Sequence, residues 1–136
     1  MILVILLLSL ILIGNKNQNR VCFKNYCFKV ELAKTEKERD RGLMFRKNLD
    51  SDKGMLFIYE KEGIYPFWME NTLIPLDIIW IDQNKEVVFI NENSQPCQNN
   101  YPCPLINLDK NAQYVLEING GMAEKIGLKI GAKIDF

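Results

Sequence analysis

The stretch Pro66-Phe67-Trp68-Met69-Glu70-Asn71-Thr72-Leu73-Ile74-Pro75-Leu76-Asp77-Ile78-Ile79-Trp80-Ile81 decides the fold of this chain. It holds both tryptophans and two of the five prolines. Pro66 and Pro75 forbid a continuous helix and push the residues before them towards extended backbone. Apart from Asp77, the residues from Leu76 to Ile81 are branched or aromatic, and Asp82-Gln83-Asn84 follows them. That pattern predicts a strand buried on both faces and closed by a turn. Asp77 falls inside the strand, and an ionised carboxylate there requires a charged or hydrogen-bonding partner. Phe67-Trp68-Met69 reads as a second, short extended piece. Glu70-Asn71-Thr72 links the two, and Asn and Thr fold back readily onto their own backbone.

Working outward, Val87–Ile90 should pair with Ile78–Ile81 as a hairpin. Upstream, Met55–Tyr59 reads as another buried strand and Glu60–Tyr65 as a loop. Phe28, Val30 and Leu32 alternate with Lys29 and Glu31, a strand with one buried face. It belongs to a hairpin over Val21–Val30 with Lys24-Asn25 at the turn. Thr35-Glu36-Lys37-Glu38 is a capping box, opening a helix that runs to about Leu43. Downstream, Asn91–Leu108 is a long irregular loop and Tyr114–Ile118 a strand. Gly120-Gly121 opens a short helix that Gly127 closes, and Ala132–Phe136 is the last strand. Many strands and two short helices make one α+β domain over residues 21–136.

Several of these pieces carry a resemblance. Phe67-Trp68-Met69-Glu70-Asn71-Thr72 with Pro75-Leu76-Asp77 resembles the signature of domain-of-unknown-function family 192, also called uncharacterised protein family 0127. Glu38-Arg39, Gly42-Leu43-Met44 with Arg46, Gly54-Met55-Leu56-Phe57, Tyr114-Val115-Leu116-Glu117 and Gly127-Leu128-Lys129-Ile130-Gly131 fit in order. The likeness covers roughly Val30 to Phe136. One departure is Glu70, where the family usually has Lys. The resemblance implies a small mixed sheet curled towards a barrel, often exported, and implies no activity.

Composition excludes whole classes of chemistry. The 136 residues contain no histidine, so imidazole general-base catalysis, His-ligated zinc and a His-centred triad are all ruled out. Lys plus Arg equals Asp plus Glu at 17 each. Setting residues 1–20 aside removes Lys16 and Arg20 and no acid, leaving a slight acidic excess. That balance argues against a nucleic-acid partner.

Met1–Ile13 is apolar apart from Ser9, and the polar run Asn15–Arg20 follows. As a helix it would span about 20 Å, short of the ~30 Å hydrocarbon core and suited to the apolar region of a secretory signal. It lacks a preceding basic stretch and a small-x-small cleavage site, so residues 1–20 read as a signal peptide or an uncleaved anchor plus linker, rather than a core element. Any membrane attachment would run through this segment alone. The four cysteines permit three pairings. The hairpin register sets Cys22 opposite Cys27, and Cys97 and Cys103 share a Pro- and Asn-rich loop, which favours the two local bridges. The rival four-thiolate zinc site fits poorly, because four and five intervening residues are wider than a zinc knuckle.

Three of the four arginines, Arg39, Arg41 and Arg46, lie within eight residues. Their planar forks suit carboxylates, and one of them, Arg39 or Arg46, is expected to pair with Asp77. Trp68 and its aromatic neighbours could form a platform for a sugar or peptide, or simply pack in the core. Asn71 and Thr72 could orient a ligand or close a turn. Met44, Met55 and Met69 suit gap-filling better than reduced copper, so no metal or cofactor is expected. The sequence thus reads as an extracytoplasmic, non-catalytic binding or accessory domain. Its cleft would be lined by Arg39, Arg46, Trp68, Asn71, Thr72 and Asp77, and its partner would be a small ligand or an envelope protein. The alternative is a small cell-envelope hydrolase or lyase acting on carbohydrate through Asp77 and a second carboxylate.

Overall fold

Leu76–Ile81 is the strand the pattern announces, and all six of its residues are buried. The computed structural model describes residues 19–97 and 102–136. In chain order its elements are β1 (Arg20–Phe23), β2 (Tyr26–Ala33), α1 (Glu36–Arg41), β3 (Lys53–Gly63), β4 (Leu76–Ile81), β5 (Val87–Ser94), β6 (Ala112–Asn119) and α2 (Met122–Ile126). The strands form one sheet in the order β1-β2-β3-β6-β4-β5. The β2/β3 pair is parallel and spanned by α1; every other pair is antiparallel. The reading of residues 1–20 as a leader falls almost wholly on residues 1–18, outside the described residues. Among the described residues no helix is long and apolar enough to cross a membrane.

β4 lies between β6 and β5 in the sheet, and both of its faces are covered. Ile79 and Ile81 pack on one face with Leu56, Leu116 and Ile118, closed over by Met122, Leu128 and Ile134. Ile78 and Trp80 pack on the other with Met55, Phe57, Val115, Leu43 and Met69. Trp80 is fully buried, and its truncation to Ala would cost about 3–5 kcal/mol.

The sheet does not close strand to strand into a barrel. The segment after α2 bridges its two sides instead. Cys22 and Asp135 exchange both backbone hydrogen bonds, at 2.8 and 2.9 Å, while Val87 N donates to Ala132 O at 2.9 Å and Ile134 N to Lys85 O at 2.9 Å. The expected strand Ala132–Phe136 is therefore a pair of isolated bridges, Lys133 to Glu86 and Asp135 to Cys22. It serves two strand ends alternately and has no run of residues to pair with either.

Two further expectations need correction. β3 continues through Glu60–Gly63, where a loop was expected, because Gly63 pairs with Ala112 beyond a bulge. β5 continues to Ser94, because Ser94 pairs with Leu76. The hairpin β1–β2 sets Cys22 opposite Cys27, and both local disulfides, Cys22–Cys27 and Cys97–Cys103, are formed. The capping box is complete: Thr35 Oγ1 accepts from Glu38 N at 3.1 Å, and Thr35 N donates to Glu38 Oε1 at 3.0 Å.

Candidate functional site

α1 buries no residue of its own. It is held at its start by the capping box and just past its end by Leu43, which is 2% exposed. Standing off the sheet in this way, it forms one wall of a cleft of about 930 Å³. Its inward residue is Arg39, whose Nη1 donates to the carbonyls of Lys34 and Ile58. The guanidinium lies 4.8 Å from the centroid of the Tyr59 ring, and Tyr59 stacks on Tyr65 at 3.6 Å. Burial pushes the Tyr59 hydroxyl up to about 12 against the opposing pull of Arg39, so it stays protonated at any physiological pH.

The opposite wall is the loop from Tyr65 to Thr72. Trp80 anchors it from below, donating its indole N–H to Tyr65 O at 2.8 Å. Phe67 packs edge-on against Phe57 and Trp80 at 4.9 and 5.6 Å and pairs through its backbone with Ile106. With Phe67 and Met69 drawn inward, Trp68 is left 45% exposed on the cleft rim. The loop turns at Asn71, whose φ of 50° is left-handed, a conformation Asn tolerates. Thr72 N closes the turn on Met69 O at 3.1 Å, and Thr72 Oγ1 donates to Glu70 O at 3.1 Å.

Glu117 on β6 also lines the cleft. It stands opposite Met55 on one side and Ile78 on the other, which puts it on the same face as Trp80. It is 5% exposed. Among the described residues no hydrogen bond or ion pair reaches its carboxyl, and burial pushes it up to about 8. At neutral pH it is therefore mostly a neutral acid facing a cavity. Sequence reasoning passed over this residue. The signal was present: an acid within Val115-Leu116-Glu117-Ile118, just as Asp77 sits within Leu76–Ile81.

Of the expected site residues, the structure gathers Arg39, Trp68 and Thr72 around this cleft and leaves the other three elsewhere. Arg46 makes a two-pronged pair with Glu31 at 2.5 and 2.9 Å, next to a smaller depression between β2 and the segment 46–50. Asn71 is exposed outside the cleft, and its carbonyl accepts from Phe45 N at 2.8 Å. Asp77 lies on the opposite face of the sheet and meets no arginine, contrary to expectation. Its Oδ1 accepts from Asn93 N at 2.7 Å and Gly121 N at 3.0 Å, and its Oδ2 from Ala123 N at 2.7 Å. Three backbone amides take the place of the cation because α2 offers free N–H groups at its start and has no side-chain cap of its own. With both oxygens occupied and no exposure, Asp77 cannot meet a substrate. Among the described residues no three carboxylates or thiols cluster in a group able to hold a metal.

Comparison with known proteins fits this picture. Among curated proteins none matches the chain. A solved structure from Novosphingobium aromaticivorans, a protein of unknown function, is 36% identical with a TM-score of 0.80, over 88% of this chain and 85% of that one. A Sinorhizobium meliloti protein, described as a suspected transcription regulator, is 30% identical with a TM-score of 0.77, over 85% of this chain and 89% of that one. The model of the family DUF192, described as Uncharacterized ACR, matches residues 19–136. With its fold, its ordered motifs and that match in agreement, the chain belongs to the DUF192 family.

Proposed function

We propose that this protein is an extracytoplasmic binding domain that takes a small ligand, or a projecting group of an envelope protein, into the cleft between α1, β3 and the Tyr65–Thr72 loop. The observation that carries the reading is Glu117, an acid 5% exposed that lines the cleft and has no protein partner for its carboxyl among the described residues. Burial disfavours the ionised form of this carboxyl, and a ligand whose charge or hydrogen bonds reach it offsets that penalty. Aromatic walls and a half-exposed Trp68 supply the contact area. Two disulfides and the apolar segment Met1–Ile13 support an oxidising compartment, reached by secretion or by N-terminal anchoring. Thiol titration of denatured protein from its native host tests the compartment: no reactive cysteine is expected, and four would refute it. Trp68 fluorescence during ligand screening tests the site. A quench or blue shift is expected on binding and should vanish in Trp68→Ala, whereas an unchanged response in that variant would place binding elsewhere.

The second reading is a small hydrolase or lyase acting on cell-envelope carbohydrate. What favours it is again Glu117, since a carboxyl held protonated near neutral pH has the property of a general acid. Its catalytic partner would then be a rim acid such as Asp40 or Glu70, not Asp77. Release of reducing ends from cell-wall glycan, abolished in Glu117→Gln, would establish this reading over the first.

A further inference from the structure

The charges around Glu117 bear on the class of ligand, given the reading above that the cleft is a binding site. From α1 the cleft is lined by Glu36, Arg39, Asp40 and Arg41; from β3 by Tyr59, Glu60 and Lys61; and from the loop by Tyr65 and Glu70. Of the three bases one is engaged, and Arg41 and Lys61 have no ion-pair partner among the described residues. Arg39 is bound to two carbonyls and stacked on Tyr59. The Arg41 guanidinium lies 5.9 Å from the Phe45 ring centroid, beside a separate shallow depression. The acids Glu36, Asp40, Glu60 and Glu70 have no ion-pair partner among the described residues. An acidic rim alone would be an ordinary solvated surface. Here it surrounds the Glu117 carboxyl, which faces the same space and has no protein partner among the described residues.

We propose that the cleft binds an organic cation, a primary ammonium or guanidinium group, with Glu117 as its counter-ion and Trp68 as an aromatic face beside it. An anion would meet five carboxyl groups, Glu117 included, against three bases, of which Arg39 is already bound to carbonyls. A neutral polyol could donate hydroxyls to the rim carboxylates but carries no charge to set against them. A cation uses every feature. Its charge is worth most against a carboxylate in a water-poor setting, and an indole face adds a cation–π contact. The binding step balances simply: the cation enters with its charge, the Glu117 carboxyl gives its proton to solvent, and a carboxylate–ammonium or carboxylate–guanidinium pair remains.

The test is calorimetry on the protein at pH 6.5 in buffers of different ionisation enthalpy. Agmatine and 1,5-diaminopentane serve as cationic probes, and 1,5-pentanediol and diacetylchitobiose as neutral ones. The expected result is cation binding with release of close to one proton. Affinity should rise towards tenfold per pH unit and level off near pH 8, as a proton-coupled equilibrium requires. The diol should bind at least tenfold more weakly. Glu117→Gln keeps the side-chain shape and should abolish the proton release while losing at least tenfold in affinity. Carbon NMR of the Glu117 carboxyl in the unaltered protein gives a readout independent of any variant, because its midpoint should fall when agmatine saturates the site. Cation binding without proton release, or binding equally strong in Glu117→Gln, overturns the proposal. Binding of chitobiose alone overturns the cation while leaving the cleft a binding site. If no probe perturbs Trp68, both readings fall.

Discussion

Replacing Asp77 by Asn tests the central packing argument most directly. Asp77 is fully buried and accepts three backbone N–H groups, from the end of β5 and from the turn that starts α2. Asparagine has a single acceptor oxygen. Turned towards Asn93 and Gly121, it sets its own N–H₂ against the amide of Ala123; turned the other way, it strands two amides. The better choice still leaves one buried donor facing another, a penalty of about 1–3 kcal/mol, and weakens two charge-assisted bonds to neutral ones. The sum is about 3 kcal/mol. At roughly 4 °C per kcal/mol for a domain of this size, Tm should fall by about 12 °C with the disulfides intact. Hydrogen exchange should locate the damage, with the amides of Gly121 and Ala123 losing protection before those of β4. Asp77→Ala, which strands all three amides and opens a small cavity, should be worse. A change in Tm below about 2 °C for Asp77→Asn would show that the amide cradle contributes little and would refute the reasoning.

Three other expectations follow from the same geometry. A Cβ on Gly54 would lie 2.5 Å from the carbonyl oxygen of Glu117, so Gly54→Ala should force the β3/β6 pair apart and cost about 2–3 kcal/mol in urea denaturation. Arg46→Ala removes a pair whose partners are 38% and 54% exposed; it should cost under about 1 kcal/mol and leave binding in the cleft unchanged. Glu117 titrates near 8 when folded against an ordinary 4.5, so between these values the folded state holds the extra proton and stability falls as pH rises. Relative to Glu117→Gln, the unaltered protein should lose about 4 kcal/mol from pH 5 to pH 8 as an upper bound, and parallel stability–pH curves would refute the assignment.

Local chemistry was legible where the answer was local. The Pro75-to-Asp82 boundary, the Thr35–Glu38 box, the Gly121–Gly127 helix and the hairpin that pairs Cys22 with Cys27 all depend on residues within a few positions of one another. What failed was long-range and carried by backbone. The donors to Asp77 lie 16, 44 and 46 residues away and are main-chain amides, which no side-chain pattern announces. The arginine cluster drew the expectation towards itself because arginines are visible in a sequence and free amides are not. In the fold its three members part company: Arg39 turns to carbonyls and Tyr59, Arg46 to Glu31, and Arg41 lies over Phe45. Polar composition misled at Glu60-Lys61-Glu62, read as a loop, because a strand that projects beyond its neighbours can carry solvated side chains and still pair at Gly63.

The two buried acids show how architecture and function divide within this small sheet. Asp77 pairs with Ile118 in the β4/β6 register, and Glu117 pairs with Ile78, its immediate neighbour. One step along the strand reverses the face, so the two carboxyls project in opposite directions from almost the same place. On one side the start of α2 and the end of β5 supply amides enough to satisfy a carboxylate, and Asp77 becomes a clasp between sheet and helix. On the other side α1 stands away from the sheet, its own residues unburied, and among the described residues no side chain hydrogen-bonds to Glu117, which lines the open cleft. A fold that needed only stability could have placed an apolar residue there among Met55, Ile78 and Leu43, whereas burial works against the ionised form of a carboxyl. A cost that the rest of the fold does not offset locally is characteristic of a site kept for use. The proposed site therefore rests on the acid left open to the cleft, more than on the one at the centre of the most conspicuous motif.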